Sequence, residues 1–206
     1  MSKAHAFPPD PLAPWAEFVP NTSSMTADEL YALPDDGWQY ELVEGRLVRM
    51  PPEGFQASKL AMRLGARIAL FVEERALGAV TGEAGGYEIS LAGQQDTVLA
   101  PDVGFIRDDR LPPHLPFNEE KAVPFAPDLA VEVASPHQYR PELAAKARRY
   151  LAAGTQLVWV VWPRHRRVDV WRPGDAQPSV SLGMTDTLDG LGVLPGFTYP
   201  LADLFH

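Results

Sequence analysis

"APDLAVEVASP", residues 126–136, decides the fold. Leu129, Ala130, Val131 and Val133 form a nearly unbroken apolar run, which reads as a buried strand. Glu132 stands in the middle of it. A carboxylate in a low-dielectric core costs several kcal/mol unless something pairs with it. Either a buried cation such as an arginine or a metal ion would serve. A second stretch, "APDVGFI" at 100–106, repeats the Ala-Pro-Asp opening before another apolar run.

Downstream of the Glu132 strand, "PELAAKARRYLAAG" (141–154) is a helix with Pro141 in its first turn and Gly154 just past its end. "TQLVWVVWPRHRRVDVWRPG" (155–174) follows as a strand pair with a basic turn. The tail "VLPGFTYPLADLF" (193–205) reads as a short strand and a turn of helix packed on the body.

Upstream, Thr26 and Glu29 form a capping box for a short helix that Pro34 ends. "WQYELVEGRLVRM" (38–50) is a β-hairpin turning at Glu44-Gly45. Apolar residues at 60, 64, 68, 71 and 72 give the stretch 55–76 the helical period. Strands are expected near 79–82, 86–91, 97–100 and 103–107, and the five prolines of 108–127 mark a long loop.

No internal repeat is visible. The order predicts one α/β (α+β) domain over 25–206, a mixed sheet flanked by helices with an N-terminal β-hairpin. Residues 1–24, rich in Pro, Ala and Ser, read as a loosely held arm.

The 206 residues, 46% apolar and 22% charged, suffice for one well-cored soluble domain. The longest apolar run, "LVWVVW" at 157–162, is too short for a bilayer, and no secretory signal stands at the N-terminus. The absence of cysteine excludes disulfides and thiolate metal sites and fits a cytoplasmic location. A net charge of −9 argues against charge-driven nucleic-acid binding over the whole surface, though not against a local groove or an acidic site that recruits a cation.

Asp128 and Glu132 share a strand face but lie roughly 13 Å apart, too far for one ion. Asp102 begins a different strand, and neighbouring strands are only about 4.8 Å apart. If the two strands pair, Asp102 and Glu132 can converge on one cation, and Mg2+ suits such a site because it takes one or two carboxylates and keeps its waters. Asp128 is then a turn residue after Pro127. Lys146, on the following helix, could stabilise negative charge developing on a phosphate. Each residue also has a plainer explanation. Pro-Asp is a common turn pair, and Lys146 sits four residues after Glu142, the spacing of a surface ion pair.

Lys59, Arg63 and Arg67 recur along the face of the long helix opposite its apolar stripe, and Arg164, Arg166, Arg167 and Arg172 lie among Trp162 and Trp171. Such patterns suit a phosphate backbone, and equally a solvated surface. His137 and His165 are isolated, so no zinc site is expected. No Gly-x-Ser-x-Gly elbow and no phosphate-cradling Gly-rich loop is present.

"MTADELYALPDDGWQYELVEGRLVRM" (25–50), "APDVGFI", "PDLAVEVASP" (127–136) and "KARRYLAAGTQLVWVV" (146–161), with the tail "TLDGLGVLPGFTYPLADLF" (187–205), together resemble the Uma-two family of restriction-endonuclease-like proteins. The likeness runs from about residue 25 to 206. It implies the fold of the PD-(D/E)XK nuclease superfamily, and a DNA endonuclease using Mg2+ (or Mn2+). Asp102 and Glu132 would then be the metal ligands, with Lys146 as a catalytic partner. The usual superfamily lysine, two residues after the acid, is replaced here by Ala134, and Lys146 is the family's substitute. Glu41, in "YELVEG", matches a recurrent third acid; a solvent-facing hairpin residue is the alternative. On this reading Glu132 tolerates burial as a metal ligand. His137-Gln138, after Pro136, and Gln56 depart from the family pattern. The resemblance also implies a homodimer. A fold alone does not make an enzyme, so a nuclease-like domain that only binds nucleic acid or protein is the competing expectation.

Overall fold

The computed structural model describes residues 19, 23–50, 54–111, 121–136 and 138–206. The proposed arm therefore lies outside the described residues, apart from Val19, Ser23 and Ser24, and so does His137. Val19 N–H donates to Leu47 O at 2.9 Å.

The Glu132 stretch is the strand β7, Leu129–Val133, with every residue buried. It lies inside a six-stranded sheet whose other members are β3 (Gly78–Gly82), β6 (Val103–Arg107), β8 (Leu157–Trp162), β9 (Arg167–Trp171) and β10 (Val180–Leu182). The spatial order is β10-β9-β8-β7-β6-β3. β7 and β8 pair in parallel, and every other pair is antiparallel. The parallel pair requires a crossover, and helix α3 (Arg140–Ala152) supplies it.

Alternation along β7 then divides the core in two. Leu129, Val131 and Val133 face the long helix α2 (Phe55–Arg75), meeting Leu60, Leu64, Ile68 and Val72. Ala130 and Ala134 face the other way, toward Leu143, Ala147 and Tyr150 of α3. Glu132 shares that second parity. Its side chain belongs to the α3 side of the sheet.

The hairpin is present as β1 (Gln39–Val43) and β2 (Arg46–Met50), in the expected register. Glu44 (φ 49°) and Gly45 (φ 73°) both take left-handed conformations, the geometry of a tight two-residue hairpin turn. The hairpin does not extend the main sheet. It forms a second, four-stranded sheet, β2-β1-β5-β4, with β4 (Tyr87–Glu88) and β5 (Val98–Leu99). That sheet joins the α3 side of the core through Val43, Val48, Tyr87 and Leu99. The strands expected at 86–91 and 97–100 are thus shorter and belong to this second sheet.

Helix α1 (Ala27–Tyr31) has its capping box: Glu29 N–H donates to Thr26 Oγ1, and Thr26 N–H to Glu29 Oε2 at 2.7 Å. Gly78 is required where α2 turns into β3. Its φ is 148°, and a Cβ there would stand 1.9 Å from Ile106 O.

In the loop 108–127 the chain makes a 3-10 turn at Asp108–Arg110, and Val123 bridges to Tyr87. The tail holds the expected strand and turn of helix, and the stretch before it adds two strands that the sequence reading does not name. Beside β12 (Thr198–Pro200) and α4 (Leu201–Leu204) there are β10 and β11 (Thr187–Asp189). Among the described residues no helix is long and apolar enough to cross a membrane.

Candidate active site

β6 and β7 pair antiparallel, with Val103 opposite Val131. One step further along the ladder brings Asp102 opposite Glu132. Asp102 stands just before β6 and accepts the Val133 backbone N–H on Oδ2. The two acids thus meet at one end of the sheet, as their separate strands predict.

Lys146 comes down onto them from α3. The buried stripe of that helix is Leu143, Lys146, Ala147 and Tyr150, the i, i+3, i+4, i+7 pattern of a core-facing surface. Lys146 is therefore not a surface partner of Glu142, whose carboxylate instead accepts the Tyr139 N–H at the helix start (3.1 Å). Only 3% of Lys146 is exposed. Its Nζ lies 3.0 Å from Glu132 Oε1 and 3.2 Å from Glu41 Oε1.

Glu41 reaches the same point from β1 and is 1% exposed, which overturns the solvent-facing alternative. Its Oε1 also accepts the Ala100 N–H at 2.9 Å. Glu41 Oε2 is buried with no hydrogen-bond partner. Such an atom forfeits about 1–3 kcal/mol of solvation.

Glu132 has a further partner that its sequence did not announce: the Tyr150 hydroxyl donates to Oε1 at 3.0 Å. Glu132 is therefore satisfied by a lysine and a tyrosine rather than by the arginine that sequence admits. Tyr150 occupies the same helical stripe as Lys146, and that spacing was the available signal.

The electrostatics follow from three carboxylates around one ammonium. Burial pushes the Glu132 carboxyl up to about 8; Lys146 pulls it down, while Asp102 and Glu41 add to the rise. Burial alone would lower the Lys146 ammonium, but Glu132, Glu41 and Asp102 outweigh it and hold the group above its ordinary range. Burial and the neighbouring carboxylates also raise the Tyr150 hydroxyl well above its usual value, so it remains a donor. The cluster carries surplus negative charge, which a proton or a cation can neutralise.

The donor set fits a hard divalent cation. All three acids offer oxygen, Glu41 Oε2 is unsatisfied, and Glu41 and Asp102 both line an adjoining cavity of about 1010 Å³. Among the described residues no trio of acidic or histidine side chains forms a ready-made metal cage. Lys146 contacts both Glu41 and Glu132 at the place where they approach each other. A cation bound by two carboxylates and water does not need a full protein cage.

Asp128 lies apart from the cluster, as its turn reading predicts. It accepts the Arg107 N–H at 2.9 Å and pairs with Arg110 at 3.0 Å.

The basic residues scatter. Arg63 donates through Nη1 to the carbonyls of Asp203, Leu204 and His206, and so fastens the C-terminus to α2. The Arg67 guanidinium lies 5.9 Å from the Tyr199 ring centroid. Both stand on the helix that covers the opposite face of the sheet from Glu132. Lys59 is exposed beside Ser58, which lines the cavity, and Arg166 is exposed in the β8–β9 turn with φ 48°.

The model of a family described as "Uma2: Putative restriction endonuclease" matches residues 27–202. A solved structure described as a putative nuclease belonging to DUF820, from Anabaena variabilis ATCC 29413, matches with a TM-score of 0.72. The two are 20% identical, and the match covers 88% of this chain and 97% of the other. At that identity the likeness speaks for the fold. No curated protein matches the chain. The family match runs through the hairpin of Glu41, the strands of Asp102 and Glu132 and the helix of Lys146, and the chain belongs to the Uma2 family.

Proposed function

We propose that this protein is a divalent-metal-dependent nuclease that hydrolyses phosphodiester bonds in DNA. The observation that carries the reading is the convergence of Glu41, Asp102 and Glu132 on one buried lysine beside a cavity. A purely structural ion pair needs one acid for one lysine, and here two acids touch the lysine while a third stands opposite Glu132 beside the neighbouring strand.

In this reading Asp102 and Glu132 hold Mg2+ or Mn2+. When bound, the ion supplies Lewis acidity and neutralises charge developing on the phosphoryl oxygens. Lys146 contributes a second positive charge that can stabilise the phosphoryl group or orient the attacking water. Glu41 fixes the ammonium from the hairpin side, and the Tyr150 hydroxyl fixes the Glu132 carboxylate from the helix side. Both are positioning contacts, and they hold the group in a dry, low-dielectric environment where charge is most effective.

One observation favours the competing reading of a nuclease-like domain without catalysis. Lys146 and Tyr150 already satisfy Glu132 without a metal ion. The deciding experiment is cleavage of plasmid and single-stranded DNA with and without Mg2+ or Mn2+, by the natural protein, Glu132→Ala and Lys146→Ala. Metal-dependent cleavage that disappears in both variants supports the nuclease. Cleavage unchanged in the variants removes the site assignment, and no cleavage by any protein favours the binding role.

A further inference from the structure

We propose that the cavity beside the acid cluster binds an unpaired DNA strand, with one base stacked on Trp38. The inference rests on the nuclease reading for the direction of the phosphate, but the binding it describes does not require cleavage.

Three aromatic residues, Tyr31, Trp38 and Tyr40, line the same cavity as Glu41 and Asp102. Trp38 is 43% exposed there, an unusual position for so large an apolar side chain. It is nevertheless held. The Arg49 guanidinium carbon lies 4.4 Å from its ring centroid, a cation–π contact. Asp36 accepts the Trp38 backbone N–H at 3.1 Å, which fixes the chain at this point, and the Tyr40 hydroxyl at 2.8 Å. A fixed, partly exposed indole beside an exposed arginine is a platform for a base face with a cation for the adjoining phosphate.

The charges select against a duplex. Among the described residues the cavity lining carries Asp35, Glu41, Glu83 and Asp102 against one cation, Lys121. Lys121 is already paired with Asp28 at 2.7 Å. A double helix would bring two phosphate backbones against this acidic wall. A single strand places one phosphate toward the cation-binding acids and turns an open base toward the indole. The volume, about 1010 Å³, lies at the top of the range for small-ligand pockets of about 300–1,000 Å³. That is room for a few nucleotides of one strand.

The test is fluorescence anisotropy with a short labelled strand, the same sequence as a duplex, and the same strand carrying abasic sites, all in Ca2+. The proteins are the full chain, Trp38→Ala and Trp38→Phe. The expected result is that the single strand binds at least about tenfold more tightly than the duplex. Trp38→Ala then loses about ten- to a hundredfold in that affinity, Trp38→Phe keeps most of it, and the abasic strand binds like the duplex. Equal or tighter duplex binding, no effect of Trp38→Ala, or no binding of any DNA overturns the proposal. The two readings fail separately. Duplex cleavage that needs Glu132 but ignores Trp38 removes the stacking site and keeps the nuclease. Trp38-dependent strand binding with no cleavage keeps the stacking site and removes the nuclease.

Discussion

Glu132 is the residue on which the site turns, and its neighbours make two of its properties measurable. Its folded carboxyl titrates near 8, above the ordinary 4.5, so between those values the native state holds a proton that the unfolded chain has released. The contribution to stability is fully present below about pH 4.5 and is lost as pH rises toward 8. The loss is on the order of a few kcal/mol. Urea unfolding of the metal-free protein between pH 5 and 9 should show this decline, and Glu132→Gln should flatten it. An unchanged slope in the variant would assign the decline elsewhere. Tyr150→Phe removes one hydrogen bond to the same carboxyl group and should cost about 0.5–1.5 kcal/mol in the same assay at about pH 5–7, where that group is protonated. A cost near zero would mean the hydroxyl bond is not formed in solution. Asp102 and Glu132 were legible as a pair because their strands each declare themselves by an apolar run after Pro-Asp or around the acid. Lys146 was legible as a lysine on the helix that follows the Glu132 strand, and again by likeness, while its i+4 spacing from Glu142 pointed misleadingly to the surface. What the spacing left open was which face of α3 the fold would bury, and that depends on strands far away in sequence.

At the scale of elements, the parts whose order comes from nearby residues were readable: the capped helix α1, the Glu-Gly hairpin, the long amphipathic α2, and β7 with its crossover. The parts fixed by distant contacts were not. β4 and β5 have two residues each and exist because β1 and the Val123 segment offer them backbone partners. β10 and β11 are three-residue strands with little pattern of their own. The same limit misplaced Arg63. Its spacing with Lys59 and Arg67 suggested a phosphate track, but α4 folds back to meet it. Arg63→Ala should therefore lower stability by about 1–3 kcal/mol, the loss of charge-assisted hydrogen bonds to the tail. It should also speed hydrogen exchange at Phe205 N–H, which closes the last turn onto Leu201. DNA affinity should be unchanged; a selective loss of affinity with normal stability would restore the phosphate role.

The whole molecule carries a net charge of −9, and a protein so acidic cannot hold DNA by a broad basic surface. On the proposed reading its affinity for DNA comes from a few contacts: stacking at Trp38, the cation at the carboxylates, and exposed residues such as Arg49 and Lys59. Counterion release gives each neutralised phosphate of a single strand a slope of about −0.7 in log affinity against log salt. With about two phosphates met by side chains, the slope should be roughly −1 to −2. A protein tracking a duplex through six to ten phosphates loses about 10³–10⁵ in affinity between 50 and 200 mM salt. Here the loss over that range should be about four- to sixteenfold, provided the divalent ion is kept constant. Removing the divalent ion with a chelator should weaken binding more than that entire salt range does, because the uncovered acids then repel the phosphate. A salt slope of −5 or steeper, indifferent to the chelator, would show that DNA is held on a basic surface away from the acid cluster, and both the site and its substrate would have to be sought there.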